Sequence, residues 1–226
     1  MSEDRTGIGR ASTPRAAPGA PVSQRVLDIV VAVVLIIVFA PVMAVTAVIV
    51  RLTSAGPIIF TQDRVARHGD GFTLYKFRTM RAAADDHRHR RYVEGLLRGR
   101  DGEGGHGDGI FKLKDDDRVT GVGRVLRRYS LDELPQLFNV LAGDMAMVGP
   151  RPALPYEVAL YGDLELKRLS VKPGITGLWQ VSGRNLLSMR RMFELDAVYA
   201  AERSLRLDLT ILARTPRELV RPSGAR

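Results

Sequence analysis

Hydrophobic positions gather first between Ile29 and Val50, a run without a charged residue, closed by Arg25 and Asp28 before it and Arg51 after it. As a straight helix it measures roughly 33 Å at about 1.5 Å per residue, enough to cross the hydrocarbon core of a bilayer. Pro41 falls near the middle, removes a backbone donor and clashes with the preceding turn, so the pattern predicts a kink or break there. Basic residues at both ends give a spanning helix no preferred orientation, but they suit a re-entrant segment that enters and leaves on the cytoplasmic face. An ordinary spanning helix is the competing reading, and a buried soluble helix rarely runs this long without a charge.

After Gly56 the period shortens. Pro57 to Gln62 and Phe72 to Met80 are rich in β-branched and aromatic residues, and Arg67-His68-Gly69-Asp70-Gly71 between them is a turn sequence, so the two runs read as a hairpin. Lys76 and Arg78 alternate with Tyr75 and Phe77. In a strand both cations project from one face, which is either a small anion-binding surface or the wet side of an edge strand. Residues 81 to 109 are polar and glycine-rich and read as a solvated insertion.

Leu131, Leu134, Leu137, Phe138 and Leu141 then recur every three or four residues, which predicts a helix over 131–141 with one apolar face. Met189, Met192, Phe193, Asp196 and Tyr199 also keep helical spacing. Leu205, Leu207, Leu209 and Ile211 instead alternate with polar residues, as a strand does. Trp179, beyond the Pro173-Gly174 turn, suits a membrane interface and a core equally well.

Length and charge change this picture little but limit the partners. The 226 residues make one domain of ordinary size with an appendage. Residues 1–21 hold Gly, Ser, Pro and Ala without periodicity and read as a disordered tail. The chain has no cysteine, so disulfides and Cys-ligated metal sites are excluded. Its net charge of +9 implies an anionic partner: a phosphorylated substrate, nucleic acid or acidic lipid.

Among candidate chemical groups, no histidine has the His-x-x-x-His spacing of a helical zinc site. Asp115 and Asp117 form an Asp-x-Asp of the kind that holds a divalent cation on a nucleotide diphosphate, although the repeated strand–helix units of a nucleotide-binding domain do not precede them. Gly121-Val122-Gly123 starts like a dinucleotide fingerprint but lacks its third glycine. The adjacent carboxylates Asp132 and Glu133 follow Arg124, Arg127 and Arg128 and open the 131–141 segment. Ser130 and Glu133 have capping-box spacing, but Pro135 then costs a helix hydrogen bond; with Asp132 as the cap it costs nothing, so the helix is expected to begin near Asp132. A carboxylate there stays ionised, as attack on phosphorus requires.

The ordered motifs of the chain carry a resemblance. Tyr75-Lys76-Phe77-Arg78-Thr79-Met80, Arg127-Arg128-Tyr129-Ser130-Leu131-Asp132-Glu133-Leu134-Pro135-Gln136, Val148-Gly149-Pro150-Arg151-Pro152, Pro173-Gly174-Ile175-Thr176-Gly177 and Gln180-Val181-Ser182-Gly183-Arg184-Asn185 resemble those of the bacterial polyprenyl-phosphate sugar-1-phosphate transferases, which are monotopic phosphoglycosyl transferases. The match runs from about Gln24 to Thr215.

The resemblance implies a mainly helical α+β fold: a disordered tail over 1–21, a re-entrant membrane helix over 22–53 broken at Pro41, and a catalytic domain over 54–226 with amphipathic interfacial helices and a short β-hairpin. It implies Asp132 as nucleophile, Glu133 with Asp132 at a Mg²⁺ ion, and Lys76, Arg78, Arg127, Arg151 and Arg184 around the substrate. It makes residues 205–211 an interfacial helix rather than a strand. The implied partners are a UDP-sugar, undecaprenyl phosphate and membrane lipid on the cytoplasmic face of the bacterial inner membrane; nucleic acid is not among them, and a homo-oligomer is left open. Ala40 departs from the serine common before the family's proline, and the glycine-rich stretch 101–109 is longer than a minimal member needs. A membrane-anchored binding protein without catalysis and an Asp-x-Asp glycosyltransferase are the alternatives.

Overall fold

The computed structural model describes residues 21–81, 87–97, 106–107, 109–113, 116–183 and 186–220. Residues 1–20 of the tail expected over 1–21 therefore lie outside the described residues, as do Asp115 and Arg184.

Helix α1, Val22–Thr53, carries Pro41 inside it and continues on both sides, so the expected break does not end the helix. Its most apolar 18 residues have a mean hydropathy of 3.0, yet only 11% of that window is buried. A soluble core helix would be covered on all sides; here Ile37 and Val38 at mid-helix are 69% and 60% exposed. The opposite face carries the polar exceptions Gln24, Asp28 and Thr46, all buried against the rest of the chain.

Both ends of α1 are tied to the same domain. Near the start, Arg25 donates to the carbonyls of Val140 and Leu141 at 2.6 and 2.9 Å, Gln24 donates to Asp208 at 2.6 Å, and Asp28 accepts from the Met147 amide at 2.7 Å. Near the end, the Arg78 guanidinium donates to the carbonyls of Val50 and Ser54 at the helix C-terminus and of Pro57 just beyond it.

The predicted hairpin is present: β1 (Ile59–Val65) and β2 (Gly71–Phe77) pair antiparallel from Ile59↔Phe77 to Val65↔Gly71. The turn needs positive φ at His68 (62°) and Gly69 (91°), which explains the glycine. Helix α2 (His87–Leu97) follows, then the short antiparallel pair β3 (His106–Gly107) and β4 (Gly109–Leu113). Helix α3 (Gly121–Arg128) is capped by Thr120, whose hydroxyl accepts from the Gly123 amide at 2.9 Å.

Helix α4 (Gln136–Ala142) leads into β5 (Ala146–Val148); the short helices α5 (Pro155–Val158) and α6 (Asp163–Leu166) precede β6 (Gly174–Thr176), which pairs parallel with β5. That parallel pair, three residues a strand, is too short to leave a period in the sequence. Helices α7 (Met189–Glu202) and α8 (Leu205–Val220) complete the chain.

Residues 205–211 are thus helical, against their period-two pattern. Leu207 and Ile211 pack into the core one turn apart, while Leu205 and Leu209 face outward. The main core joins α1, β2, α4, β5, α7 and α8 through Ala32, Leu74, Leu137, Val140, Tyr199 and Ile211. Trp179 packs with Met189, Met192 and Phe193 in a second cluster, which assigns it to a core.

Candidate active site

The carboxylate pair sits on a tight turn between two helices. Ser130, just past α3, adopts a left-handed conformation at φ 54°, and Leu131–Glu133 form a 3-10 turn closed by Glu133 N–H to Ser130 O at 3.2 Å. Helix α4 starts only at Gln136, with Pro135 at its N-cap position. This corrects the expected cap at Asp132: the dyad precedes the α-helix. The cause is tertiary, because Leu131 and Leu134 both pack against the cluster of Val50, Phe77 and Leu126, which holds the turn down. Asp132 is buried, and Glu133 is half-buried.

Asn139 sets the dyad against the hairpin. It is fully buried on α4, donates to Thr73 O at 2.8 Å and accepts from Tyr75 N–H at 3.1 Å, so one side chain mates with the backbone of β2. That docking brings Lys76 Nζ to 2.8 Å from Glu133 Oε1, a pair separated by 57 residues in sequence.

A second docking delivers Arg151. Gly149 and Gly174 face each other where β5 and β6 pair, so closely that a Cβ on Gly149 would meet Lys172 O at 2.4 Å. The chain leaves this contact through Pro150-Arg151-Pro152 and bridges to β1 at the next residue, where Val65 N–H donates to Ala153 O at 2.9 Å. Arg151 Nη1 then lies 3.5 Å from Glu157, a buried carboxylate that also accepts from Leu154 N–H at 2.8 Å. Behind it, buried Arg168 donates to Arg151 O and to the Tyr161 hydroxyl, both at 2.8 Å, and stands 2.9 Å from Asp196. Burial pushes the Asp196 carboxyl up to about 6, with Arg168 and Arg151 opposing the rise.

Lys76, Glu133, Gln136, Arg151 and Gln180 meet around a cavity of about 50 Å³, and Arg64 completes its wall. Asp132 is not on that wall, although its neighbour Glu133 is. Arg78 does not join Lys76 here. Strand β2 ends at Phe77, and the Arg78 guanidinium is spent on the end of α1. Arg127 lies half-buried in the last turn of α3, where its charge helps hold the Asp116 carboxyl low, after the larger effect of Arg118 at 2.7 Å. Of the Asp-x-Asp pair, Asp117 is exposed.

Arg64 and Glu157 stand outside the motifs read from the sequence, and Gln180 stands in one of them without an assigned role. For Arg64 a signal existed: it continues the alternation of β1 two residues after Gln62. Glu157 and Gln180 reach the site only through the folded loops.

Among the described residues no group of three His, Asp or Glu side chains converges as a protein cage for a metal. The dyad does fit the mode in which Mg²⁺ is held by one or two carboxylates and completed by water and substrate phosphate oxygens.

Compared with known proteins, the chain is 40% identical to the uncharacterized sugar transferase EpsL of Bacillus subtilis over 201 residues, 89% of each chain. It is 41% identical over 202 residues to the undecaprenyl-phosphate galactose phosphotransferase of Salmonella typhimurium, covering 89% of this chain and 41% of that protein. It is 37% identical over 194 residues to the exopolysaccharide production protein ExoY of Sinorhizobium fredii, covering 86% and 84%. The chain therefore spans nearly all of the short relatives and less than half of the long one. Residues 20–222 match the bacterial sugar transferase family, and the chain belongs to that family.

Proposed function

We propose that this enzyme transfers a sugar 1-phosphate from a UDP-sugar to undecaprenyl phosphate through a covalent aspartyl intermediate, releasing UMP and starting exopolysaccharide or another glycoconjugate. The observation that carries this reading is the placement of a carboxylate dyad, with Asp132 buried and Glu133 half-buried, beside a cationic cavity, in a domain that grips both ends of an apolar helix. A soluble nucleotide diphosphate and a lipid phosphate can meet at such a site. The name of the Salmonella relative supports the lipid acceptor.

In the first step an Asp132 oxygen bonds to the sugar-bearing β-phosphorus. The bond from that phosphorus to the oxygen shared with the α-phosphorus breaks, and UMP leaves with the electron pair. In the second, a phosphate oxygen of undecaprenyl phosphate attacks the same phosphorus and the aspartyl–phosphorus bond breaks. The carboxylate is regenerated and a lipid-linked diphosphate sugar leaves. Lys76 and Arg151 offset the charge on the phosphoryl oxygens, where fixed cations contribute most of the catalysis. Mg²⁺ held by Glu133 and Asp132 would add Lewis-acid neutralisation of the same oxygens.

We place α1 in the cytoplasmic leaflet as a re-entrant segment. A spanning helix would separate its ends by about 30 Å of hydrocarbon, yet Arg25 and Val50 both contact the one domain. Purified protein given Mg²⁺, a panel of UDP-sugars and undecaprenyl phosphate should release UMP, and Asp132→Ala should abolish both that release and the sugar-phosphate adduct on the protein. Unchanged turnover in Asp132→Ala would overturn the mechanism.

A further inference from the structure

Arg64 is the charged group that neither the motifs nor the mechanism uses, and its surroundings are unusual. It is 7% exposed on a strand of the hairpin, where an arginine ordinarily reaches solvent. Nη1 donates to Pro152 O at 2.8 Å and Nη2 to Gln62 Oε1 at 2.6 Å, so the guanidinium plane is held by the loop that carries Arg151 and by its own strand. Its Nε–H is buried and has no partner. A buried donor left unmade costs about 1–3 kcal/mol, and no carboxylate takes it up.

The cavity beside it has the corresponding deficit. Its wall carries three cations, Arg64, Lys76 and Arg151, against the single wall carboxylate Glu133, and with Glu157 behind Arg151 counted the cations are still in excess. Burial and the nearby Arg151 charge push the Arg64 guanidinium down to about 9, with Glu157 opposing. An anion in the cavity would reverse that. At about 50 Å³ the space takes one tetrahedral oxyanion, far short of the ~300 Å³ or more of a site that encloses a whole organic ligand. Gln180 Oε1 on the same wall is also buried without a partner, and can accept the proton of a hydrogen phosphate.

We propose that this cavity is a subsite for a single phosphate group, and that Arg64 is one of its ligands through Nε–H, beside Lys76 and Arg151. The phosphate is that of a monoester, arriving either on the leaving nucleotide or on the polyprenyl acceptor. Asp132 is off the wall while its neighbour Glu133 is on it, so the subsite adjoins the reacting phosphate, and Lys76 and Arg151 border both groups. The inference rests on the phosphoryl-transfer reading for its biological ligand, but its test needs no turnover.

Inorganic phosphate is titrated into the full-length protein in detergent micelles at constant ionic strength, with chloride as the control, and followed by calorimetry. Wild type should bind one phosphate, and Arg64→Met should bind at least about tenfold more weakly, the loss of one charge-assisted hydrogen bond. Arg64→Lys should recover part of the affinity, and its thermal melt shows whether the fold has survived. Competition by UMP, or by a short-chain polyprenyl phosphate, identifies which substrate supplies the phosphate. Phosphate affinity equal in wild type and Arg64→Met, or phosphate displaced by neither competitor, overturns the proposal. Failure of Asp132-dependent UMP release would leave this titration unaffected, so the two readings fail separately.

Discussion

Replacing Arg168 by methionine tests how the interior supports the site. Arg168 and Asp196 are each about 3% exposed or less, and they approach to 2.9 Å, yet neither Asp196 oxygen has a hydrogen-bond partner. The charges are adjacent, but burial outweighs the arginine's attraction, so Arg168 compensates the carboxylate only in part. Burial leaves the Asp196 carboxyl at about 6, above the ordinary value near 3.9. A carboxyl raised on folding favours the folded state while it is protonated; that contribution is complete below about pH 4 and is lost as the pH rises through 6.

Arg168→Met removes the opposing charge, so the carboxyl climbs further and the loss continues through neutral pH. Stranding one member of a buried ion pair costs about 3–5 kcal/mol, which for a domain of this size lowers the melting temperature by roughly 6 to 20 °C. The deficit should be full at pH 8 and shrink toward pH 5, where Asp196 takes up a proton. Trp179 reports the melt directly, being the only tryptophan and part of the Met192–Phe193 cluster that Arg168 overlies at 5.2 Å from the Phe193 ring. Arg168→Met/Asp196→Leu should regain most of the stability, because an apolar pair of similar volume replaces a buried ion pair at little cost. A single variant within about 1 kcal/mol of wild type at pH 8, or a double variant no better than the single, would refute the reasoning.

Two further outcomes follow from packing. Gly149→Ala should cost about 1–3 kcal/mol and most of the UMP release, because the new Cβ meets backbone at Lys172 and Gly174 that cannot yield; Gly71→Ala, with nothing within 4 Å, should behave as wild type. Single cysteines at positions 22 and 55 of this cysteine-free chain should label from the same side of inverted vesicles, and labelling from opposite sides would replace the re-entrant topology with a spanning one.

Elements with a strong local period were legible. The uncharged run from Ile29 to Val50 could be little other than a helix with an apolar exterior, and the hairpin's turn residues match its observed register. Where two periods fit, local reading failed. Leu205, Leu207, Leu209 and Ile211 alternate, but in a helix the same spacing splits them between an outward and a core face. The start of the dyad helix was misplaced for a related reason. Pro135 allows a cap at Asp132, while the packing of Leu131 and Leu134 against Val50, Phe77 and Leu126 imposes a 3-10 turn that propensity alone does not select.

The sequence by itself determined the apolar segment, the adjacent carboxylates and the supply of arginines. Only the tertiary structure decided which cations serve the carboxylates. Lys76 and Arg78 are equivalent in a strand pattern, but one reaches Glu133 and the other closes the end of α1. Arg64 enters the site because Pro152, 88 residues away, accepts its hydrogen bond. Convergence of this kind is set by contacts between distant segments, whereas a local pattern records only how each residue faces its own strand or helix.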